Sequence, residues 1–453
     1  MSGGDDVSNG SPAKGLIIAA PSSGSGKTLF TLALLRALRN ASLSVASAKV
    51  GPDYIDPAFH HAASAQPCLN LDTWAMRPDT LAYLIQALNN SADLIIAEGV
   101  MGLFDGADCD DDLADGSTAS LARRTGWPVV LLVDARAQAA SAAAVVRGFA
   151  EHSPDVRVAG VIFNRVGSTS HADTLTRSCH RHLPDIPVLG CLPRNRELVL
   201  PERHLGLVQA GEHADLENFL DAAARWVCEH VDLAAVQGLA RPSSRQTFEP
   251  SATLLAPFGQ RIAVARDQAF AFSYTATLDG WSAAGASILP FSPLAGEAPT
   301  PDCDAIYLPG GYPELYAGQL ASNGFIDGIQ HAASMGTQVF GECGGYMVLG
   351  ETLIDAGGTR HKMAGLLALE TSFAERKLHL GYRDTMTVTN SLLGSTGSAF
   401  RGHEFHYAAI IREPPEQALF SVKNARGNEL GSGGLVAGNV AGSFMHLIDR
   451  KPL

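Results

Sequence analysis

Two stretches hold residues able to do covalent chemistry. The first is Phe340-Gly341-Glu342-Cys343-Gly344-Gly345-Tyr346-Met347, preceded by Thr337-Gln338-Val339. It reads as a buried strand that turns sharply into a helix and lifts a sulfur to the mouth of a pocket. On such a turn the N–H of Gly344 and the helix N-terminus favour a thiolate and can stabilise an oxyanion. A small buried cysteine beside a glycine turn has the same spelling. Two further features favour attack by Cys343. Ala305 to Glu314 is an apolar strand ending in the glycine pair Gly310-Gly311, and Gly311 can offer a second backbone N–H to the oxyanion. Gly442-Ser443-Phe444-Met445-His446 is strand-like, rich in small residues and ends in a histidine.

These segments together resemble the triad-type (class I) glutamine amidotransferases. The resemblance implies that Cys343 and His446 hydrolyse the side-chain amide of glutamine to release ammonia. Many members place a glutamate two residues after the histidine, where this chain has Ile448. His446 then works in a dyad or is oriented by another acid, such as Asp449.

The second chemistry is phosphate handling. Pro21-Ser22-Ser23-Gly24-Ser25-Gly26-Lys27-Thr28 lies between the apolar strand Leu16 to Ala20 and an amphipathic helix over Thr28 to Leu38. In that setting the backbone of Ser23, Gly24, Ser25 and Gly26 cradles phosphates, Lys27 reaches the outer ones and Thr28 binds Mg²⁺. Pro21 replaces the first glycine of the usual pattern. Leu43 to Val50 is a strand carrying Lys49, followed by the turn Gly51-Pro52-Asp53-Tyr54-Ile55-Asp56-Pro57. Leu94 to Ala97 is another, delivering Glu98 to the sheet edge where ligands bind in open α/β folds and where a carboxylate can complete Mg²⁺ coordination. Asn164, at a later strand end, reads adenine or caps a turn. Arg383, His403 and His406 belong to a segment dense in His, Arg and Tyr that could face a polycarboxylate.

The elements that position these residues alternate. Strands at Val129 to Asp134 and Val158 to Asn164 flank an alanine-rich helix over Ala137 to Phe149, which predicts a mostly parallel, doubly wound sheet. A second α/β unit, also a mostly parallel sheet flanked by helices, begins at Arg261 after Leu239 to Gln260, whose Arg-Pro-Ser-Ser-Arg composition is that of a linker. The expected organisation is a disordered tail over 1–13, a synthetase domain over 14–238, the linker over 239–260 and a glutaminase-like domain over 261–453. With 453 residues, 46% hydrophobic and 17% charged, the chain can bury two sizeable cores. The seven cysteines form no Cys-x-x-Cys pair, and no apolar run is long enough to span a bilayer. The net charge of −13 argues against nucleic acid or an anionic membrane as partner. A cytoplasmic enzyme is expected, with homodimerisation left open.

Lys49 to Pro57, Glu98 to Gly106, Gly341 to Gly345 and Gly402-His403-Glu404-Phe405-His406-Tyr407, with the phosphate loop, resemble the cobyrinic or hydrogenobyrinic acid a,c-diamide synthases of cobalamin biosynthesis. The resemblance covers nearly the whole chain beyond the tail. It implies a dethiobiotin-synthetase-like ATP domain that activates two acetate side chains of the tetrapyrrole and a glutaminase that supplies ammonia to each. It places Lys27 and Lys49 on phosphates. Thr28, Asp53 and Glu98 fall around Mg²⁺, with Tyr54, Ile55 and Asp105 at the tetrapyrrole and acyl-phosphate site. Nickel-sirohydrochlorin a,c-diamide synthase and cobyric acid synthase are the alternatives within the superfamily. A nucleotide-dependent regulator or metal-insertion partner with a degenerate glutaminase is the alternative outside enzymes.

Overall fold

A computed structural model describes residues 13–203, 206–213, 215–244 and 254–452. In the first half, β1 (Lys14–Ala19), β2 (Val45–Val50), β3 (Cys68–Leu71), β4 (Leu94–Glu98), β5 (Val129–Asp134), β6 (Val158–Val166) and β7 (Val188–Pro193) form a sheet in the order β3-β2-β4-β1-β5-β6-β7. Every pairing among these seven is parallel. Helices cover both faces, so the strands are near-continuous apolar runs, and β2 is buried at every position. The helix expected from Ala137 begins later, at Ala142–Glu151.

The phosphate loop leaves β1, Asp53 and Tyr54 leave β2, and Gly99 to Asp105 leave β4. These three strands are neighbours, so their C-terminal ends gather the loops at one edge. Helix α1 (Lys27–Asn40) opens directly from the loop, and helix α2 (Asp56–Ser64) directly from the turn after β2.

The second half is built on a ten-stranded sheet. Its first five strands in spatial order, Ser287–Phe291, Arg261–Ala265, Ala305–Leu308, Gln338–Glu342 and Val440–Ser443, are parallel. The next five, from Glu429–Ala437 to Met445–Arg450, pair antiparallel. The chain passes from the central strand Val440–Ser443 to the edge strand Met445–Arg450 across Phe444 alone. The sheet must therefore curl, and this carries His446 round to Cys343.

Between the halves, Leu239 ends a helix and Arg241–Pro242 pair antiparallel with β1. Residues 245–253 of the expected linker and 1–12 of the expected tail lie outside the described residues, whereas Ala13 and Leu254 are buried. Phe272, Tyr274, Tyr312 and Ile448 from the second half belong to the apolar core of the first. No described helix is long and apolar enough to cross a membrane.

Candidate active sites

The phosphate loop turns through Gly24 (φ 72°) and Gly26 (φ 93°), left-handed conformations that cost glycine little. Asn164 Nδ2 donates to the Ser25 carbonyl at 2.8 Å, and Arg165 Nη1 to the Gly24 carbonyl at 2.8 Å. Asn164 Oδ1 accepts from the Arg165 N–H. Both ends of the expected adenine reader are thus engaged in fixing the loop. A cavity of about 570 Å³ is lined by Ser23, Gly24, Gly26, Lys27, Thr28, Lys49, Asp53, Glu98 and Asn164. Ser25 is buried, its hydroxyl donating to the Ser22 carbonyl.

Thr28 Oγ1 donates to Glu98 Oε1 at 2.7 Å and reaches Asp56 Oδ2 at 3.4 Å. Lys49 Nζ bridges the same carboxylates, at 2.5 Å to Asp56 and 2.8 Å to Glu98. His60 Nε2 lies 2.7 Å from Glu98 Oε2. Burial would raise the pKa of Glu98, but Lys49 and His60 hold it well below the usual carboxylate range. Burial, then Asp53, pushes Asp56 up to about 7 against the pull of Lys49. Burial lowers Lys27 to about 8, opposed by Glu98. The hydroxyl and two carboxylates form the all-oxygen donor set that a hard divalent cation requires. Asp53, expected in that set, instead accepts the N–H groups of Ile55 (2.8 Å) and Asp56 (3.0 Å) through Oδ1. Asp56 takes the place beside Thr28. The sequence assigns Asp53 rather than Asp56 to the metal and gives His60 no role.

A second cavity of about 640 Å³ opens between the halves. It brings together Tyr54, Ile55 and Asp105 from the first half with Arg383, His403 and Phe405 from the second. Asp53, Val100 and Met101 line both cavities, so the two adjoin. His406, grouped with His403 as a substrate residue, lies elsewhere. Alternation along Ala399–His406 puts His403 and Phe405 on the cavity face and Glu404 and His406 on the other. His406 is 1% exposed, stacks on Phe444 at 3.9 Å and meets Glu404 Oε1 at 3.0 Å. His379, Glu404 and His406 lie close enough together to suggest a metal, but Arg383 Nε already holds Glu404 at 2.6 Å.

In the third site, Cys343 has φ 47° and ψ −103° at the start of the short helix Gly344–Leu349. That strained conformation for a non-glycine residue costs on the order of 1–3 kcal/mol and is the sharp turn expected. The Cys343 N–H donates to the Ser443 carbonyl at 2.8 Å. A Cβ added to Gly310 would sit 2.4 Å from His446 Cε1 and 3.3 Å from Cys343 Cβ, so the two side chains flank that glycine. One added to Gly344 would meet the Gly311 nitrogen at 2.9 Å, which sets the two expected oxyanion donors side by side.

Burial, with Glu314 adding to it, pushes the Cys343 thiol well above its usual range, although the Gly344 N–H pulls the other way. Burial, then His403 and His406, takes His446 down to about 3. The expectation of a favoured thiolate is corrected: cysteine and histidine form a neutral pair here because both are about 1% exposed. Asp449 does not orient His446, since its carboxylate accepts the N–H (2.9 Å) and Nε (3.1 Å) of Arg77. The acid beside the imidazole is Glu342, whose Oε2 lies 4.0 Å from His446 Nδ1. Glu342 also accepts from Tyr307 Oη at 2.6 Å and from the Leu447 N–H at 3.1 Å. Its place next to the nucleophile was visible in the sequence, but its distance to a histidine on another strand was not.

The CobQ/CobB/MinD/ParA nucleotide binding domain matches residues 16–208, and the CobB/CobQ-like glutamine amidotransferase domain matches 261–452. A hydrogenobyrinate a,c-diamide synthase of Brucella anthropi is 54% identical over 96% of this chain and 98% of its own. That of Rhizobium meliloti is 54% identical over 96% and 99%. The chain belongs to the hydrogenobyrinate a,c-diamide synthase family. The Agrobacterium fabrum member is 47% identical over 97% and 99%, so the likeness to this family of synthases spans both halves. The nucleotide-binding half implies the use of ATP, and the amidotransferase half the use of glutamine.

Proposed function

We propose that the protein amidates the a and c acetate side chains of hydrogenobyrinate, using ATP to activate each carboxylate and glutamine as nitrogen donor. The observation that carries this reading is the cavity between the halves: it adjoins the phosphate site through Asp53, Val100 and Met101, and Tyr54 on its wall stacks on His446. The relatives' name favours this substrate over a nickel-sirohydrochlorin or the substrate of cobyric acid synthase.

In this reading the phosphate loop, Lys27 and Lys49 hold the nucleotide phosphates, with Thr28, Asp56 and Glu98 holding Mg²⁺. When bound, Mg²⁺ neutralises charge on the phosphates during transfer. Arg383 and His403 face the carboxylates of the ring, and Asp105 closes the far wall. At the other site Cys343 attacks the glutamine amide and passes its proton to His446. Gly311 and Gly344 N–H groups stabilise the oxyanion. Glu342 stabilises the imidazolium through Nδ1. The scattered, unpaired cysteines fit a cytoplasmic enzyme, and the net charge of −13 argues against nucleic acid or an anionic membrane as partner.

The test separates the two chemistries. Cys343→Ser is expected to lose glutamine-dependent amidation yet amidate the ring from ammonium salts at raised pH, because serine lacks the nucleophilicity of sulfur. Failure with ammonia, in a folded variant that binds ATP, would assign Cys343 a structural or synthetase role.

A further inference from the structure

The turn after β2 touches both active sites. On one side Asp56 meets Lys49 Nζ at 2.5 Å and Thr28 Oγ1 at 3.4 Å, and Asp53 Oδ1 fixes the N–H groups of Ile55 and Asp56. On the other, Tyr274 of the second half donates its hydroxyl to the Pro52 carbonyl at 2.9 Å. Between these anchors stands Tyr54. Its ring is sandwiched by His446, at 4.5 Å between centroids and 30° between planes, and by Phe272, at 4.5 Å and 26°. Its hydroxyl points to the Phe405 carbonyl at 3.4 Å, the same oxygen that lies 4.0 Å from Cys343 Sγ. A side chain of the synthetase half thus covers the imidazole of the glutaminase half.

We infer that Tyr54 is the positioning residue through which the nucleotide site controls glutamine hydrolysis. In the stacked state His446 and Cys343 are each 1% exposed, which leaves a glutamine amide no approach. Mg²⁺ competes with Lys49 for Asp56 and Glu98, and phosphates compete with those carboxylates for Lys49, so together they stabilise a different setting of the turn. A ligand that distinguishes two states in this way shifts the balance between them. Movement of Asp56 is passed to Tyr54 through the two N–H groups that Asp53 holds. Unstacking uncovers His446 only when the ammonia it helps release has an activated carboxylate to meet. This inference rests on the function proposed above.

The experiment is glutamate release by the full-length enzyme, measured with and without MgATP plus hydrogenobyrinate. Wild type is expected to be stimulated by a factor within the usual range of coupling between sites, about 5- to 150-fold. Tyr54→Leu, which fills space without stacking, is expected to raise the unstimulated rate and bring the ratio close to one. Tyr54→Phe keeps the stack and is expected to keep the ratio. A Tyr54→Leu enzyme whose two rates change by the same factor, leaving the ratio intact, would overturn the inference, as would a wild type with no stimulation. The proposed function is read separately, from Cys343→Ser. If that variant still releases glutamate, the assignment of the glutaminase site itself fails.

Discussion

At the scale of single residues, Glu342 has the clearest consequences. Its carboxyl is buried and pushed up to about 7, the burial cost being only partly offset by Tyr307 and the Leu447 N–H. A carboxyl raised in the folded state contributes stability that is fully present below its unfolded value of about 4.3 and lost as pH rises through about 7. Wild-type melting temperature is therefore expected to fall more between pH 5 and pH 8 than that of Glu342→Gln, whose amide does not titrate and whose single oxygen keeps one of the two acceptor roles. Equal slopes in thermal scans would show that the carboxyl is not the titrating group. The same variant should lower the kcat of glutamine hydrolysis by about tenfold or more with little change in KM, since a neutral amide stabilises an imidazolium poorly. Ammonia-dependent amidation should be untouched. Unchanged glutaminase kcat and pH profile would leave Glu342 a purely structural acid.

At the scale of elements, the turn into α2 and the loop into α1 make separable predictions. Asp56, not Asp53, stands beside Thr28 and Glu98. Asp56→Asn is expected to raise the Mg²⁺ concentration needed for half-maximal ammonia-dependent amidation, and Asp53→Asn to shift it less. A Mg²⁺ titration showing the reverse order would return the role to Asp53. In the phosphate loop, Gly26→Ala combines φ 93° with a Cβ only 2.4 Å from Asn164 Nδ2. The loop must shift to accept it, so ATP affinity measured by calorimetry should fall strongly. Both amidation routes should fall with it, while unstimulated glutamine hydrolysis survives.

At the scale of the whole molecule, the halves are joined by a pair that no local pattern announces. Asp449 on the last strand is fully buried and accepts from the backbone and guanidinium of Arg77, just before the helix Pro78–Ser91. Arg77→Ala would strand a buried carboxylate, a change that costs about 3 kcal/mol or more. Urea unfolding should report this loss, and the ratio of glutamine-driven to ammonia-driven amidation should fall as the halves lose their registration. A variant with unaltered stability would show that water replaces the arginine there.

The chemistry of the chain was legible wherever it is spelled within a few consecutive residues. Phosphate binding needs a strand, a glycine turn and Lys27-Thr28, all local, and Cys343 declares itself by the glycines of its own turn. Alternating strands and helices likewise announced two α/β units. Tertiary structure alone decided which acid serves which base. Glu342 reaches His446 only because the second sheet curls across Phe444, and Asp449 is drawn to Arg77 by a domain contact nearly four hundred residues away in sequence. It also decided ionisation: Cys343 and His446 are neutral because both are buried, a property of packing that no motif encodes. The stacking of Tyr54 on His446 belongs to the same class, since each residue is held by its own half and they meet only when the halves dock.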